Sequence, residues 1–529
     1  MDNWQLIVLG VLIVATATFS QYMGFLDDYY VNDDFRNLFV VENFHEAPSA
    51  DLLYRYALRT VTTTYLSSFY LFARQFTSII ILGKVIGILA FLFAALMLYA
   101  LLTKTESSDS TFFIMSLFVL YAWTIGRFSG GLSPAFTFPL LLFFMYSLIR
   151  RNELLIALSF ILQSIFYPPV FLISIVTYLL FLFKTALKKE PIVKRRFLVV
   201  VVGICVALIL LIVPLLVTKP SFGEQVSFKD ASVMPEFYHG GRAPVFYGGI
   251  PFFHSLKSIL LTILNPYNTG VKLSLWPDRS PLLLFLLALA FILYFKRMVL
   301  KLPVEVYLVV LASLISYVAA WALLFQLYLP ARYVQYTLPL AAMFIAGRGL
   351  SLLGSKTRLL AIFALLSAFL FFLFSGHVNQ DLVYCEDKEA YEYIRSLPES
   401  AVIAGHPYEM DCVALYGKRK PFIMHELIIP YFKDYYLVVK QRTVDFFEAY
   451  YAQDNRSIRN FCGEHAVTHI FVNKNHFTEP YRRGTIYTEP FATILKESIS
   501  NRDTFFLENP ANISFQSGTK YVIDCGADL

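Results

Sequence analysis

Residues 26–36 read Leu26-Asp27-Asp28-Tyr29-Tyr30-Val31-Asn32-Asp33-Asp34-Phe35-Arg36 and directly follow the first long apolar segment of the chain. All four aspartates of this stretch fall between Asp27 and Asp34. Clustered carboxylates repel one another, so the cluster needs a compensating cation. A divalent metal, a basic group of a substrate or Arg36 could supply that charge. The segment is therefore the first place to look for chemistry.

The composition of the whole chain is typical of a membrane protein. Of its 529 residues, 57% are hydrophobic and only 16% are charged, and the mean hydropathy is +0.58. An average soluble domain has about 25% charged residues. The shortfall excludes a disordered chain, a basic protein that binds nucleic acid and an ordinary cytosolic enzyme. Because the net charge is only +6, the placement of the charges is more informative than their sum.

Apolar segments recur along the first 375 residues and predict about 11 membrane-spanning helices. A bilayer core of about 30 Å needs about 20 apolar residues per helix. The candidate spans are 5–24, 78–103, 111–127, 135–149, 153–167, 169–183, 197–217, 281–295, 303–325, 334–347 and 359–375. Around Tyr167-Pro168-Pro169 the pattern fits either two spans with a tight turn or one broken helix.

Basic residues predict the orientation of these spans. With the N-terminus inside, the predicted inner loops contain Lys104, Arg150, Arg151, Lys184, Lys188, Lys189, Lys194, Arg195, Arg196, Lys296, Arg297, Lys301, Arg348, Lys356 and Arg358. The short outer loops contain little basic charge beyond Arg127 and Arg332. This bias predicts a multi-pass protein of the plasma membrane with a cytoplasmic N-terminus and an extracytoplasmic C-terminal domain.

The predicted spans divide the chain into two domains. Residues 1–375 form the transmembrane domain, with long outer loops at 25–76 and 218–280, and residues 376–529 form an extracytoplasmic domain. In the latter, predicted strands at 401–405, 421–424, 468–472 and 521–525 alternate with predicted helices at 386–397, 413–416 and 431–462. Alternation of this kind predicts a small α/β layer structure.

Cysteine usage in the C-terminal domain agrees with an oxidising compartment. Four of the five cysteines lie there, at Cys385, Cys412, Cys462 and Cys525. Two disulfides are expected, and three pairings of the four residues remain open. Free buried thiols are the alternative, and a zinc site is disfavoured because the domain has no CxxC pair.

The acidic segment and the residues after it predict helices at the membrane surface. Asp34, Leu38, Val41 and Glu42 are spaced to share one side of an α-helix. Residues 51–76 continue as an aromatic-rich amphipathic helix, which can lie in the plane of the membrane interface.

These features resemble a known family. A first span, an acidic pair and juxtamembrane helices before the second span are similar to the opening of the GT-C membrane glycosyltransferases. That family includes the protein mannosyltransferases, the aminoarabinose transferases of lipid A and the catalytic subunits of oligosaccharyltransferases. Asn32-Asp33-Asp34-Phe35-Arg36 looks like the family's Asp-Glu-x-Arg segment, with Asp34 in the Glu place. Leu329-Pro330-Ala331-Arg332-Tyr333, followed by Pro339, looks like the Arg-Tyr segment common in its bacterial branch.

The resemblance implies transfer of a sugar from a polyprenyl-phosphate donor at the outer membrane face, in the synthesis of a cell-envelope glycan. The acceptor would be a glycan, a lipid or a protein, and the implied partners are this donor, the acceptor and membrane lipids, without nucleic acid. Asp33 or Asp34 would act as the catalytic base or as a metal ligand, with Asp34 as the ligand of a divalent cation, Mg or Mn.

The same resemblance implies which residues bind the substrate. Arg332 is the candidate for the donor phosphate, because the guanidinium fork matches two phosphate oxygens, and Tyr333 lies beside it. Arg36 belongs to the acidic motif. Arg242 and His239, in the second long loop, complete the set of substrate-binding candidates, since that loop could order over the donor.

The sequence departs from the family pattern in one loop. Many members have a further acid between the third and fourth spans, whereas Arg127-Phe128-Ser129-Gly130-Gly131-Leu132-Ser133-Pro134 has no carboxylate. The first loop also lacks a clear Pro-Pro segment. A second metal ligand would have to come from elsewhere, and the candidates are Glu224, Asp230, Glu236 and Asp278.

Two other functions fit the same sequence. The chain could be a non-catalytic GT-C relative that binds lipid or a partner protein, which the missing acid favours. It could also transport a lipid-linked glycan, although transporters usually have ionisable residues at mid-membrane and repeated halves. In either case the acidic loop would be a solvated loop, and Arg332 would anchor its span at the headgroup level.

Overall fold

The computed structural model describes residues 3–19, 22–42, 51–61, 63–120, 126–189, 194–218, 222–246, 302–327, 329–354, 362, 363, 367, 382–499, 502 and 504–526. The described residues belong to two compact units. The helical unit takes its residues from Met1–Asp33, Ile80–Leu215 and Phe252–Val383. The α/β unit takes its residues from Asp34–Ile79, Leu216–Pro251 and Tyr384–Leu529, so it includes parts of both long predicted loops.

Long apolar helices form the helical unit. They are Asn3–Phe19, Ile79–Thr105, Ser108–Leu120, Thr137–Ile149, Glu153–Phe166, Pro168–Leu187, Lys194–Thr218, Val304–Ala322 and Thr337–Ser351, with short helices at Tyr22–Leu26, Ser133–Phe136 and Ala331–Val334. The predicted spans from 5–24 to 197–217 overlap described helices, as do those at 303–325 and 334–347. The predicted span 281–295, and most of 359–375, lie outside the described residues.

Four of the described helices are long enough and apolar enough to cross a membrane. These helices are Ile79–Thr105, Pro168–Leu187, Phe197–Pro214 and Val304–Ala322. They support the predicted polytopic membrane protein, while the count of about 11 spans stays a prediction.

The Tyr167-Pro168-Pro169 segment forms two helices. Glu153–Phe166 ends at Tyr167, whose backbone dihedrals of −151° and 86° are not helical, and Pro168–Leu187 begins at the next residue. A proline disfavours the helical conformation of the residue before it, and a proline at the first helical position needs no hydrogen-bond acceptor. Of the two alternatives left open by the sequence, two helices with a tight turn is therefore the observed one.

The helix that follows Arg332 is held on two sides. A Cβ atom on Gly347 would lie 2.4 Å from Ile114 Cγ1, so the Thr337–Ser351 and Ser108–Leu120 helices approach each other closely because this residue has no side chain. At the far end of the same helix, Arg348 donates from Nε and Nη2 to the two carboxylate oxygens of Glu106, both at 2.6 Å. These contacts fix the segment that begins at Arg332.

A mixed sheet forms the centre of the α/β unit. In spatial order its strands are β4 (Lys420–Pro421), β3 (Val402–Gly405), β5 (His469–Asn473), β7 (Lys520–Asp524) and β6 (Phe515–Ser517). β4, β3 and β5 run parallel, and β7 is antiparallel to both β5 and β6. All residues of β5 are buried, as expected for a central strand that is covered on both faces. A separate two-stranded sheet pairs β1 (Tyr30–Asn32) with β2 (Leu382–Tyr384).

Helices surround this sheet. They are Lys388–Ser396, Pro407–Gly417, Lys433–Tyr450, Asn455–His465, Glu479–Arg483 and Phe491–Ile499, with Phe228–Ala231 and short turns at Pro235–Phe237, His425–Leu427, Lys474–Phe477 and Phe506–Glu508. The alternation predicted from the sequence is confirmed as a C-terminal α/β region. The sequence missed β6 and predicted only residues 413–416 of the helix that begins at Pro407, because Pro407 and Glu409 interrupt the apolar pattern.

The segment from Asp33 to Ala73 differs from its prediction. It forms a 3₁₀ turn at Asp33–Leu38, short helices at Phe39–Glu42 and Leu52–Tyr56, a π turn at Ala57–Val61 and a helix at Thr64–Ala73. The prediction of one continuous helix over 51–76 was therefore wrong. So was the α-helical spacing of Asp34, Leu38, Val41 and Glu42, because a 3₁₀ turn advances three residues per turn.

Two disulfides lie in the α/β unit. They join Cys385 to Cys412 and Cys462 to Cys525. The expectation of two disulfides is thus confirmed, and the structure selects one of the three pairings that the sequence left open.

Candidate functional site

The two catalytic candidates begin an otherwise buried segment. Asp33 and Asp34 are the first residues of the Asp33–Leu38 turn and are partly exposed. From Phe35 to Val41 every residue is buried. The burial of the apolar side chains after Asp34 fixes the backbone, while the two carboxylates keep access to solvent.

A loop of the helical unit holds the residue before Asp33. Asn32 is 6% exposed, and its amide Nδ2 donates to Ser129 Oγ at 2.6 Å and to the Gly126 carbonyl oxygen at 3.4 Å. A Cβ atom on Gly130 would lie 2.7 Å from Asn32 Oδ1, so only glycine fits there without displacing Asn32. In this chain the loop without a carboxylate therefore anchors Asn32, the residue that directly precedes Asp33.

Two arginines of the helical unit lie near one tyrosine. Tyr167 and Tyr336 are buried, with their hydroxyl oxygens 3.4 Å apart. The guanidinium groups of both Arg332 and Arg127 are within electrostatic range of the Tyr167 hydroxyl. Both arginines are partly exposed. Positive charge of this kind can stabilise a phosphate group.

The sequence predicts a phosphate-binding role for Arg332 but not for its neighbours. It predicts Arg127 only as a charge in a short outer loop, and it assigns no role to Tyr336. An arginine in the loop where the family has an acid was the one available signal for Arg127. Tyr333, by contrast, is fully buried, and its hydroxyl donates to the Leu327 carbonyl oxygen at 2.9 Å, so it stabilises the turn before Arg332.

In the α/β unit, Arg36 lies in a buried ionic contact. Its Nη2 is 3.5 Å from Asp411 Oδ2, and the Asp411 side chain is inaccessible to solvent. Arg36 Nη1 also donates weakly to Cys412 Sγ at 3.9 Å. Burial raises the pKa of Asp411, and the charge of Arg36 opposes that rise by favouring the ionised carboxylate.

Arg242 enters the same network through Glu426. Arg242 Nη2 lies 3.2 Å from Glu426 Oε1, and its Nε donates to the His425 carbonyl oxygen at 3.1 Å. The Glu426 backbone N–H donates to Asp411 Oδ1 at 3.2 Å, which connects the two ion pairs. The structure thus brings together Arg36 and Arg242, which the sequence analysis proposed separately. His239 is exposed in the turn before Arg242, outside this network.

Asp411 and Glu426 are not among the residues predicted from the sequence. Asp411 lies in the Pro407–Gly417 helix, and Glu426 lies in the His425–Leu427 turn. The local signal for Asp411 is its place between the apolar residues Met410 and Val413, both of which are buried. A buried acid usually has a polar or charged partner. Nothing in the sequence indicated that the partner would be Arg36.

The candidates for a second metal ligand have other partners. Glu236 is buried and accepts from Tyr436 Oη at 2.8 Å and Lys440 Nζ at 3.1 Å. Asp230 and Glu224 lie 2.9 and 3.6 Å from Lys433 Nζ. Asp278 is outside the described residues. Within the ranges that the structure describes, no three His, Cys, Asp or Glu side chains are arranged to hold a metal ion.

A second polar cluster lies at the carboxyl ends of β3 and β5. His406 and His476 have ring centroids 4.6 Å apart, and Glu409 accepts from Asn473 Nδ2 at 2.7 Å. Burial lowers the pKa of His406 to about 3 and that of His476 to about 2, so both rings are neutral near pH 7. Burial raises the pKa of Glu409 to about 7, opposed by the Asn473 hydrogen bond.

Comparison with known proteins identifies the fold. No protein-family model and no curated protein matches the chain. The apo crystal structure of the Archaeoglobus fulgidus oligosaccharyltransferase matches with a TM-score of 0.52 at 13% identity, covering 94% of this chain and 73% of that chain. The structure of that enzyme with Zn and sulfate matches with a TM-score of 0.50 at 13% identity, covering 92% and 70%. The chain therefore has an oligosaccharyltransferase-like fold, and the resemblance to GT-C enzymes is confirmed at the level of the fold.

Proposed function

We propose that the protein is a membrane glycosyltransferase that transfers a sugar from a polyprenyl-phosphate donor to a glycan, lipid or protein acceptor. One observation carries the proposal. In the helical unit, the loop that contains Arg127 binds Asn32, the residue before Asp33, and Arg127 and Arg332 lie near the same tyrosine hydroxyl. Asp33 and the two guanidinium groups thus belong to the same unit, and the fold is similar to that of an oligosaccharyltransferase.

The carboxylates would act on the acceptor. A hydroxyl or amine of the acceptor attacks the anomeric carbon of the sugar, and Asp33 or Asp34 accepts its proton or orients it. The partial exposure of both residues supports this role, because a general base must reach the proton that it abstracts. The burial of Phe35 and the residues after it would hold the base in place during the reaction.

The arginines would act on the leaving group. When the bond between sugar and phosphate breaks, negative charge grows on the lipid phosphate, and fixed positive charges stabilise it. Arg332 and Arg127 are the proposed phosphate ligands. Arg36, Arg242 and His239 remain proposed substrate-binding residues of lower rank, because the first two already contact Asp411 and Glu426.

The proposed location is the plasma membrane, with the N-terminus in the cytoplasm and the transfer on the extracytoplasmic face. The bias of basic residues toward the predicted inner loops supports this orientation. The two disulfides of the α/β unit support it as well, since disulfides persist in oxidising compartments.

The family resemblance implies a divalent metal, but the described residues do not fit one. Asp34 would be a ligand, yet Glu224, Asp230 and Glu236 are all engaged with lysines. No step of the proposed reaction is therefore assigned to a metal.

The decisive experiment is mass spectrometry of the lipids that copurify with the protein in mild detergent. Wild type should retain a sugar-charged polyprenyl phosphate, and Arg332→Ala should lose at least nine-tenths of it. Lys104→Ala, which removes an exposed cation from the same unit, is the matched control and should retain it. Equal amounts of bulk phospholipid and no charged donor in all three proteins would contradict the proposed phosphate site.

Catalysis is tested separately from donor binding. With the donor so identified, Asp33→Asn and Asp34→Asn should retain it, and at least one of them should lose sugar transfer. If both variants transfer at the wild-type rate, the carboxylates are not the base.

A non-catalytic relative that binds lipid or a partner protein is the second candidate. The loop from Arg127 to Pro134, which contains no carboxylate, favours it. Donor bound by wild type without turnover, and a biological phenotype that persists when all four aspartates of 26–36 are replaced, would establish it.

A further inference from the structure

The acidic segment is held in place by residues far along the chain. Within the α/β unit, Arg36 contacts Asp411, Asn37 contacts Glu426, and Lys418 pairs with Glu42. All three contacts of Arg36, Asn37 and Glu42 end in residues 411–426. One region of the C-terminal fold therefore contacts the segment that follows Asp34 at three residues.

The contact through Asn37 reaches the catalytic candidate directly. Asn37 Nδ2 donates to the Asp34 carbonyl oxygen at 3.1 Å and to Glu426 Oε2 at 3.3 Å. Glu426 thus orients the amide that closes the turn on Asp34. Because the Glu426 backbone N–H in turn donates to Asp411 Oδ1, displacement of the Asp411 carboxylate also affects the turn that contains Glu426.

The contact through Arg36 is a buried ion pair. Arg36 is 8% exposed and Asp411 is fully buried. Removing one partner of a buried pair leaves a charge without compensation, and the side chain that bears it must move toward water. Loss of the Asp411 charge would therefore draw Arg36, and the 3₁₀ turn that contains it, out of position.

From these contacts we infer that Asp411 and Glu426 are positioning residues for Asp34. They do not touch the substrate; they act by holding Arg36 and Asn37, and so fix the backbone from which the Asp34 carboxylate projects. The inference rests on the proposed function for its catalytic meaning, whereas the positioning can be measured without any substrate.

Hydrogen–deuterium exchange of the full chain in detergent measures the positioning. In Asp411→Asn, amides of residues 34–42 should exchange at least tenfold faster than in wild type, while those of β5 stay unchanged. Asp411→Glu retains the charge and should restore most of the protection. Asp445→Asn, in the same unit but outside these contacts, is the matched control. Wild-type exchange of residues 34–42 in Asp411→Asn would overturn the inference.

Faster exchange in β5 would reveal that Asp411→Asn does not fold correctly. A second variant tests the inference in that case. Asn37→Ala leaves no charge unpaired and breaks only the contact between Glu426 and the Asp34 carbonyl. It should raise the exchange of residues 34–38 at least threefold with β5 protected, and no change there would contradict the role of Glu426.

Kinetics separate this inference from the proposed function. If wild type transfers sugar, Asp411→Asn should lower kcat at least tenfold and change the KM for the donor less than threefold, because the donor phosphate is bound elsewhere. Equal losses in both constants would indicate a general defect and overturn the positioning role. If wild type transfers no sugar while the exchange results hold, the proposed function fails and the positioning stands.

Discussion

The Asp411 carboxylate lies 3.5 Å from the Arg36 guanidinium, which ties the C-terminal α/β region to the acidic segment near the N-terminus. Both side chains are buried, and Cys412, the next residue, is bonded to Cys385. The helix that carries Asp411 is therefore held by a covalent bond as well as by charge. Several measurable consequences follow from this arrangement.

Removal of the Cys385–Cys412 disulfide should loosen the acidic segment. The Cys385–Cys412 disulfide closes a loop of 27 residues, and the Cys462–Cys525 disulfide closes one of 63 residues. Each should stabilise the fold by about 4 kcal/mol, because it lowers the conformational entropy of the unfolded chain. Only the first lies beside Asp411. Replacing both cysteines of that pair by serine should speed the exchange of residues 34–42, measured by hydrogen–deuterium exchange.

The other disulfide provides the control for this experiment. Serine at both Cys462 and Cys525 should lower the stability by a similar amount and leave the relative protection of residues 34–42 unchanged. If both double variants affect that segment equally, its protection reflects global stability and not the contact with Asp411.

Gly130→Ala should disturb the anchor of Asn32. The new Cβ would lie 2.7 Å from Asn32 Oδ1, so the amide must leave its 2.6 Å hydrogen bond to Ser129. Loss of a buried hydrogen bond costs about 1 kcal/mol, and sugar transfer should fall at least tenfold because Asp33 follows Asn32. Gly10→Ala is the matched control, since nothing lies within 4 Å of its Cβ. Wild-type transfer by Gly130→Ala would show that the anchor is dispensable.

Arg127→Ala should weaken retention of the donor, as is expected of Arg332→Ala. If both guanidinium groups contact one phosphate, their effects are coupled and the double variant loses less than the product of the single losses. The amount of copurified polyprenyl-phosphate donor, measured by mass spectrometry, gives this double-mutant cycle. Full additivity of the two losses would place the arginines at separate sites.

Glu409→Gln should change the pH dependence of stability. The folded-state pKa of Glu409 is raised to about 7, above its unfolded value, so the folded state prefers the protonated form and is destabilised as the pH rises from about 4.5 to 7. Asn473, His476 and Lys520 contact Glu409, and the negative charges of Asp387 and Glu386 add to the rise of its pKa. Between pH 5 and 8, wild type should lose about 2 kcal/mol relative to Glu409→Gln.

Hydrogen exchange of the β3 amides, corrected for the intrinsic dependence on pH, measures this difference. The exposed Glu448→Gln is the control and should follow wild type. A Glu409→Gln variant whose stability changes with pH as wild type does would show that Glu409 is ionised normally.

Much of the fold could be read from local sequence. The described spans match apolar segments, because a membrane-spanning helix must satisfy its own backbone hydrogen bonds and present apolar side chains to lipid. The strands β3, β5 and β7 were predicted from short apolar runs. The 51–76 prediction failed because aromatic spacing alone reveals neither the π turn that follows Tyr56 nor the extended backbone of Thr63.

The candidate site could be read only in part. Asp33, Asp34 and Arg332 were found because each lies in a short motif beside an apolar span. The structure places Arg127 with Arg332 near the buried pair of Tyr167 and Tyr336, and no sequence motif indicates this arrangement. The roles of the sequence candidates in catalysis and substrate binding stay predictions until the experiments above are done.

The features that the sequence predicts and those that only the tertiary structure shows therefore differ in physical origin. Membrane insertion, helix ends and the acidic cluster depend on residues that are neighbours in the chain, so composition and spacing are sufficient to predict them. The pairing of cysteines, the partner of Arg36 and the network of Glu426 depend on which distant segments pack together. Packing is decided by the burial of apolar area over the entire unit, and a buried charge then takes whatever opposite charge the fold brings within reach.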